Sequence, residues 1–218
     1  MSLNIELARH NMVEQQVRPW EVLDSRVLEA LTAVRREDFV PAAHRNLAFA
    51  DLSLPLAHGE FMMKPVVEGR VLQSVLPART ESVLEIGTGA GFLTACLARL
   101  AASVHSLEQH ADLADMARGR LQAARVANAT VEVAEAVNAF TPKETYDAVV
   151  VTGAVYALPQ RWREWVRPGG RLFAIVGESP VQRAVLYTRG ESGWREDGLF
   201  ETDLPYLTNA APPRRFVL

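Results

Sequence analysis

The sequence contains very little cysteine and no long apolar run. Cys96 is the only cysteine in 218 residues, so no disulfide can form within the chain, and we expect a reducing compartment, the cytoplasm. No apolar stretch approaches the roughly 20 residues that a membrane-spanning helix requires. Charged residues are interspersed near the N-terminus, which is not the pattern of a signal peptide. These absences predict a cytoplasmic protein that does not enter a membrane.

An excess of one charge sign is also lacking. The chain has 23 Lys and Arg against 26 Asp and Glu, a formal net charge of −3, so we expect no general attraction for nucleic acid. It has no repeats, low-complexity tracts or charge runs, and Arg214-Arg215 is interpreted as a solvent-exposed pair. Apolar residues make up 49% of the chain, which excludes disorder and is enough for one domain with a substantial core.

The stretch from Val83 to Phe92 has the pattern of a strand, a glycine turn and the start of a helix. Its first four residues form the short, mostly apolar run expected of a central parallel strand. Gly87, Gly89 and Gly91 follow at alternate positions, and each removes a Cβ where a ligand would have to touch the backbone. The helix that follows would direct the amides of its N-terminus at that ligand.

The spacing of this turn favours S-adenosylmethionine over a dinucleotide. In the dinucleotide fingerprint the third glycine comes one residue later than Gly91, at the position that Phe92 occupies here. Glu85, just before the turn, would repel a pyrophosphate but suits a ligand with a cationic ammonium. S-adenosylmethionine carries an ammonium and a sulfonium. We therefore predict that Glu85, Thr88 and Phe92 bind this cofactor together with the three glycines.

Acidic residues follow the next two predicted strands. The strand over 104–107 ends in Glu108, about twenty residues past the first glycine, which is the spacing at which an acid meets a ribose diol. The strand over 130–133 is followed by Glu135, which is placed to reach the adenine side. Either acid alone could be a solvated loop residue. With Glu85, they predict a linear, nucleoside-shaped site.

Strand and helix patterns alternate after residue 78, which predicts an α/β fold with a mostly parallel central sheet and helices on both faces. The helix over 111–127 is predicted to bury Met116 and Ala124 on its apolar side. A continuous apolar strand is predicted over 148–151, a short helix over 158–166 and a strand over 172–176. The segments 184–188 and 200–207, joined by a turn region over 190–198, predict an antiparallel pair at the C-terminal end.

The first third of the chain has helical patterns and an irregular segment. Residues 4–17 are amphipathic, and Asp24 is a suitable N-cap for a second helix that we expect to end at Phe39-Val40-Pro41. Residues 42–65 show little periodicity, as in many functional loops. Residues 66–76 again predict a helix, which Pro77 ends.

These motifs resemble motif I of the class I S-adenosylmethionine-dependent methyltransferases, and the chain as a whole resembles the protein-L-isoaspartate O-methyltransferase family. The supporting segments cover nearly the whole chain: 36–41, 54–56 with Gly59 and Pro65, 146–154, 168–172 and 176–178. The resemblance implies a Rossmann-like fold, S-adenosyl-L-methionine as cofactor, S-adenosyl-L-homocysteine as product and a carboxylate of damaged protein as acceptor. It adds Ala136 and Thr152 to the cofactor contacts. It also implies one domain, with 1–78 as a helical extension and acceptor loop that covers the site and 79–218 as the cofactor-binding core.

The acceptor loop departs from the family pattern, which is approximately Gly-Gln-Thr-Ile-Ser-x-Pro. Here the stretch is Gly59-Glu60-Phe61-Met62-Met63-Lys64-Pro65. Phe61 and Met63 replace the two hydroxyl residues and cannot donate a hydrogen bond to a carboxylate. Glu60 adds a negative charge that disfavours an anionic acceptor.

Three residues around this loop are candidates for a catalytic role. Lys64 could supply a cation near the acceptor, His58 could be a base for a neutral acceptor, and Met63 could line a pocket for an apolar one. The plainer interpretations are a solvated lysine, a surface histidine and a methionine that fills the lid.

Three functions remain open at this point. The chain could methylate isoaspartyl carboxylates of proteins or peptides, it could methylate a different, small or apolar acceptor, or it could bind S-adenosylmethionine or S-adenosylhomocysteine without catalysis. In either enzyme, catalysis would consist mostly of aligning the acceptor with the activated methyl group and excluding water. The oligomeric state is not predicted.

Overall fold

A seven-stranded sheet forms the centre of the molecule. The structure, a computed structural model, describes residues 4–213, so Arg214 and Arg215 lie outside the described residues. The strand order is β5-β4-β3-β6-β7-β8-β9, in which the first five strands are parallel and the last two are joined by antiparallel hairpins. The strands are β1 Leu54–Pro55, β2 Phe61–Met62, β3 Ser82–Ile86, β4 Ser103–Glu108, β5 Ala129–Val133, β6 Tyr146–Val155, β7 Val166–Glu178, β8 Val181–Arg189 and β9 Trp194–Thr202. β1 and β2 form a separate two-stranded hairpin.

Helices cover one face of the sheet, and the 3₁₀ turn that contains Trp162 covers part of the other. The α-helices are α1 Ile5–Asn11, α2 Ser25–Ala33, α3 Arg36–Phe39, α4 Pro65–Val75, α5 Phe92–Leu100 and α6 Ala111–Ala123. A π-helical turn spans Met12–Val17, and 3₁₀ turns span Arg18–Trp20, Ala42–Leu47, Ala57–Gly59 and Gln160–Trp165.

Strand alternation divides the core into two layers. In β6, Ala148 and Val150 pack with the layer that holds the N-terminal helices and α5, whereas Val149 and Val151 pack with Trp162 in the second layer. Cys96 of α5 is a buried free thiol in the first layer, as predicted. The predicted fold class is confirmed.

The second predicted helix is interrupted, which corrects the sequence-based boundary. Asp24 caps it as predicted, with its side chain accepting from the Arg26 amide at 2.9 Å. However, α2 ends at Ala33, because Val34 and Arg35 are extended before α3 begins. The break turns Arg36 inward, where it is completely buried. A long-range ion pair thus overrides the local helical periodicity.

Helix α6 is shorter than predicted and buries fewer residues. It ends at Ala123, and the expected core residues Met116 and Ala124 are exposed. Arg125 adopts φ +56°, which is incompatible with a continued helix. The Asn128 side chain then donates to the carbonyls of Ala98, Ala101 and Ala102. These contacts turn the chain directly into β5.

The last strand begins and ends earlier than predicted. A tight turn, in which the Gly190 amide donates to the Gly193 carbonyl at 2.8 Å, lets β9 begin at Trp194. The strand ends at Thr202, so the predicted residues 203–207 lie outside it. This segment instead crosses to β6, where Tyr206 forms a bridge with Ala154.

Candidate active site

An open cleft lies at the carboxyl ends of the parallel strands. It has an empty volume of about 610 Å³ and borders the ends of β3, β4, β5 and β6. The chain order of the sheet reverses between β3 and β6, which is where ligands bind in open α/β sheets. Ten residues of the cleft wall belong to this edge: Ile86, Gly87, Gly89, Leu107, Glu108, Ala134, Glu135, Ala136, Thr152 and Gly153.

The glycine turn is held from both sides by hydrogen bonds. The amides of Gly87 and Thr88 donate to the Leu107 carbonyl at 2.8 and 3.0 Å. The Thr152 hydroxyl lies 2.9 Å from the Ile86 carbonyl oxygen and 2.7 Å from that of Gly87, and it donates to them. With φ +98°, Gly87 is in the left-handed region, and a Cβ there would lie 2.2 Å from the Thr152 hydroxyl oxygen. The turn therefore requires glycine at this position.

The third glycine, Gly91, does not line the cleft. It caps α5 at φ +85°, and a Cβ on it would lie 3.3 Å from the Cβ of Ala117 in α6. Its role in the structure is thus the close approach of two helices, whereas Gly87 and Gly89 face the cavity.

Both acids predicted for the nucleoside lie in the cleft wall. Glu108 accepts from the amides of Gly89 at 2.8 Å and His110 at 3.1 Å. Glu135 accepts from the amides of Val137 at 2.6 Å and Asn138 at 3.0 Å. Backbone donors fix the orientation of both carboxylates. Each carboxylate retains lone pairs that can accept from the hydroxyl or amino groups of a ligand.

Glu85 lies beneath the turn rather than in the cleft. Its side chain is completely buried and accepts from the hydroxyls of Ser106 at 2.6 Å and Thr94 at 2.5 Å, while its other oxygen has no partner within residues 4–213. Burial raises the pKa of Glu85 to about 7, and the two hydroxyls oppose that rise. Thr88 joins the network through the Ser106 hydroxyl at 2.6 Å.

A second, smaller cavity adjoins the first. It has an empty volume of about 310 Å³, and Phe61, Gly87, Gly89 and Thr152 line both cavities. Its other walls come from the acceptor loop, from α4, from the glycine turn and from the start of α5: Met62, Met63, Glu68, Thr88, Ala90, Phe92 and Leu93. The structure thus brings Met63, Thr88 and Phe92 to one space beside the cleft.

A buried ion pair fastens the acceptor loop to the core. Arg36 of α3 is in contact with the Glu68 carboxylate of α4, and both side chains are buried. Arg36 also donates to the carbonyls of Ala48 at 2.9 Å and Met63 at 2.8 Å, and it lies over the Phe92 ring. Burial raises the pKa of Glu68 to about 8, against the opposing charge of Arg36.

Lys64 and His58 are not brought to either cavity. Lys64 is exposed at the start of α4. His58 lies 2.9 Å from both carboxylate oxygens of Asp112 and stacks on His110, with ring centroids 4.1 Å apart. His58 therefore links the loop over 57–60 to the start of α6, outside the walls of both cavities.

The C-terminal segment supplies a wall that the sequence analysis missed. Leu207 and Thr208 line the first cleft, and the Leu207 amide donates to the Ala154 carbonyl at 2.8 Å. Buried Gln182 holds this segment by two hydrogen bonds to the backbone of Leu204. No local pattern marks these residues. In contrast, Glu68 could have been found as the one acid on the apolar side of a predicted helix.

None of the helices within residues 4–213 has the length and apolar character to cross a bilayer. No set of three or more His, Cys, Asp or Glu side chains in this range is grouped as a metal site would require.

Comparisons with known proteins agree with this geometry. The profile of the family described as protein-L-isoaspartate(D-aspartate) O-methyltransferase matches residues 8–201. A Methanoculleus marisnigri protein named protein-L-isoaspartate O-methyltransferase is 37% identical over 183 residues, 84% of this chain and 83% of that protein. A Bordetella petrii protein of the same name is 36% identical over 201 residues, 91% of this chain and 74% of that protein.

A solved structure shows the same fold. It is a Plasmodium falciparum protein described as a protein-L-isoaspartate O-methyltransferase, in complex with S-adenosyl-L-homocysteine. The TM-score is 0.79 at 18% identity, over 91% of this chain and 97% of that chain. Since the profile spans most of the chain and two relatives exceed 30% identity, the chain belongs to the protein-L-isoaspartate(D-aspartate) O-methyltransferase family, a family of S-adenosylmethionine-dependent methyltransferases.

Proposed function

We propose that this chain transfers the methyl group of S-adenosyl-L-methionine to the side-chain carboxylate of an L-isoaspartyl residue in a damaged protein or peptide. The observation that carries the proposal is the pair of joined cavities, of which one has acids suited to a nucleoside and the other borders the acceptor loop. The name shared by the two relatives supports the same reaction.

The residues of the first cleft fit the proposed cofactor. Glu108 and Glu135 offer acceptors to ribose hydroxyls and to the adenine side, and Gly87 and Gly89 leave the backbone bare beside them. Ala136 and Thr152 line the same cleft. When bound, S-adenosylmethionine supplies a methyl group that its sulfonium charge has already activated.

The acceptor loop would orient the carboxylate and exclude water. Met62 and Met63 are buried residues of this loop, and Phe61 lines both cavities with 46% of its surface exposed. We propose that Phe61 closes over the reacting groups once both are bound. A desolvated carboxylate held in line with the methyl group needs no further acid or base. We assign no role in this step to Lys64 or His58.

A second candidate function follows from the side chains of the same loop. Phe61, Met62 and Met63 give the second cavity an apolar wall without a hydroxyl donor. This wall favours a small or apolar acceptor over a carboxylate. The two functions differ in the acceptor and share the cofactor cleft.

The double variant Phe61→Thr with Met63→Ser tests the first function. We expect it to raise methyl transfer to an isoaspartyl peptide, because the new hydroxyls can donate to the acceptor carboxylate. Transfer of labelled methyl is measured on that peptide and on the same peptide with normal aspartate. Met62→Thr is the matched control, since it adds a hydroxyl to the same loop at a position where the family has an apolar residue.

The wild-type result decides between the functions. Labelling of the isoaspartyl peptide alone supports the proposal. Labelling of a small molecule in a cell extract, without labelling of the peptide, favours the second candidate. Binding of S-adenosylhomocysteine without transfer to any acceptor would make the chain a binding protein. No gain in a double variant that still binds S-adenosylhomocysteine would contradict the argument about the loop.

The proposal also covers the domain organisation, the cellular location and the partners of the enzyme. We infer that residues 1–78 and 79–218 act as one domain, because Arg171 of β7 donates to the carbonyls of Val75 and Leu76 and to the Glu81 carboxylate. We infer a cytoplasmic location, where the thiol of Cys96 would stay reduced. The acceptor is a protein or peptide, and nucleic acid is not among the proposed partners.

A further inference from the structure

Among the described residues, Glu68 is the one ionisable side chain that lines the second cavity. Two other polar side chains, Thr88 and Thr152, line this cavity, and both hydroxyls are engaged, with Ser106 and with the carbonyls of Ile86 and Gly87. One oxygen of Glu68 contacts Arg36. The other, Oε1, accepts no hydrogen bond from the described residues, 4–213. A ligand that enters this cavity would therefore meet a carboxyl oxygen of Glu68, and a cationic ligand there would favour the ionised form of this group, which burial alone disfavours.

The position of the cavity determines which part of a ligand would reach it. The first cleft has the two acids suited to a nucleoside, and the second cavity lies across Gly87 and Gly89 from them. This inference rests on the proposed cofactor: with its nucleoside in the first cleft, its amino-acid end extends past the glycines into the second cavity. That end carries an ammonium and a carboxylate. The N-terminus of α5, at Phe92, is suited to the carboxylate.

We propose that Glu68 binds the ammonium of the amino-acid end of the cofactor. Arg36 supports this role, because its other donors are taken by the carbonyls of Ala48 and Met63 and its contact with Glu68 fixes that carboxylate. The ionisable groups around Glu68 are Arg36 of α3, Glu85 of β3 and Cys96 of α5. Arg36 favours the ionised carboxylate, whereas Glu85 opposes it, and a bound cation would act in the same direction as Arg36.

The variant Glu68→Gln tests the assignment by calorimetry without any acceptor. S-adenosylhomocysteine has the amino-acid end, and 5′-methylthioadenosine lacks it. We expect the variant to bind S-adenosylhomocysteine about 10- to 100-fold more weakly, the loss of one charged hydrogen bond, and to bind 5′-methylthioadenosine as the wild type does. The measured quantity is the dissociation constant of S-adenosylhomocysteine divided by that of 5′-methylthioadenosine.

Glu37→Gln is the matched control, because Glu37 is also a buried acid paired with an arginine, Arg9, in the N-terminal part of the chain. It removes a comparable ion pair but does not line the cavity, so it should leave the ratio unchanged. Thermal unfolding of both variants shows whether they fold equally well. If Glu68→Gln is too unstable to measure, Glu68→Asp keeps the charge on a shorter arm, and the same ratio should rise.

Two results would overturn the assignment. An unchanged ratio in a folded Glu68 variant would mean that Glu68 does not contact the amino-acid end. Tighter binding of S-adenosylhomocysteine by Glu68→Gln would mean that Glu68 faces the ligand carboxylate instead. Neither result depends on methyl transfer, so this assignment can fail while the proposed reaction holds. Absence of transfer to isoaspartyl peptide would contradict the reaction without affecting the ratio.

Discussion

The contact between Gly87 and Thr152 gives the sharpest prediction about the glycine turn. Gly87→Ala places a Cβ 2.2 Å from the Thr152 hydroxyl oxygen, at a residue whose φ is +98°. The Thr152 hydroxyl must then move away from the two carbonyl oxygens to which it donates. The substitution therefore adds backbone strain and also breaks the side-chain hydrogen bonds from Thr152 of β6 to the end of β3 and the glycine turn.

The two contributions can be separated. A non-glycine residue in the left-handed region costs about 1–2 kcal/mol. Loss of the two part-buried Thr152 hydrogen bonds, which leaves the carbonyls of Ile86 and Gly87 without this donor, costs about 1–3 kcal/mol more. We therefore expect Gly87→Ala to lower the free energy of unfolding by about 2–5 kcal/mol. Gly59→Ala is the matched control, because Gly59 has φ +77° but no atom within 4 Å of the added Cβ, so only the strain of about 1–2 kcal/mol applies.

Urea unfolding of the two variants and the wild type measures the difference, with the change in midpoint converted at a common m-value. Thr152→Ala provides a second test, since the added Cβ meets no hydroxyl in that background. There, Gly87→Ala should cost no more than Gly59→Ala does in the wild type. Equal losses for Gly87→Ala and Gly59→Ala in the wild type would refute the reasoning, and so would a Gly87→Ala loss in the Thr152→Ala background that still exceeds the loss for Gly59→Ala.

Two further predictions concern acids whose pKa values are shifted in opposite directions. Burial raises the pKa of Glu85 to about 7, so the folded state holds a proton that the unfolded state releases, and wild-type stability is lost as the pH rises from about 5 to 7. Glu85→Gln should gain on the wild type between pH 5 and pH 8 in urea unfolding, and a pH-independent difference would contradict this. The hydrogen bond from Arg171 lowers the pKa of Glu81, so its stabilisation is present above the unfolded pKa and is lost as the pH falls through the folded one. Glu81→Gln should therefore cost more stability at pH 7 than at pH 3, and an equal cost at both would show that the ion pair does not contribute.

The sheet could be predicted because a strand that is buried on both faces has a mostly apolar local sequence. β3 and β6 both contain such apolar runs, at 83–86 and 148–151. No comparable local sequence pattern marks the break between α2 and α3. The break depends on the contact of Arg36 with Glu68, which is 32 residues away in the sequence.

The site could be predicted only where its residues end consecutive strands. Glu108 is the last residue of β4 and Glu135 comes two residues after β5, so both lie at one edge of the sheet. Glu85 precedes the turn, but strand alternation puts it on the same face as Val83, toward Thr94 of α5, and this could have been inferred from the period of two. Leu207 could not have been predicted, since it comes from an irregular segment that crosses to β6.

The charges around the site act differently on the two substrates of the proposed reaction. Three acids line the first cleft: Glu60, Glu108 and Glu135. Arg36 contacts Glu68 beside the second cavity and is itself completely buried, so it cannot contact an acceptor. The field of the three acids attracts a cationic sulfonium and repels a carboxylate. A carboxylate acceptor therefore gains its electrostatic partner in the site only when the sulfonium is already bound, whereas a neutral acceptor has no such requirement. The dependence of acceptor binding on bound cofactor thus separates the two candidate functions on electrostatic grounds.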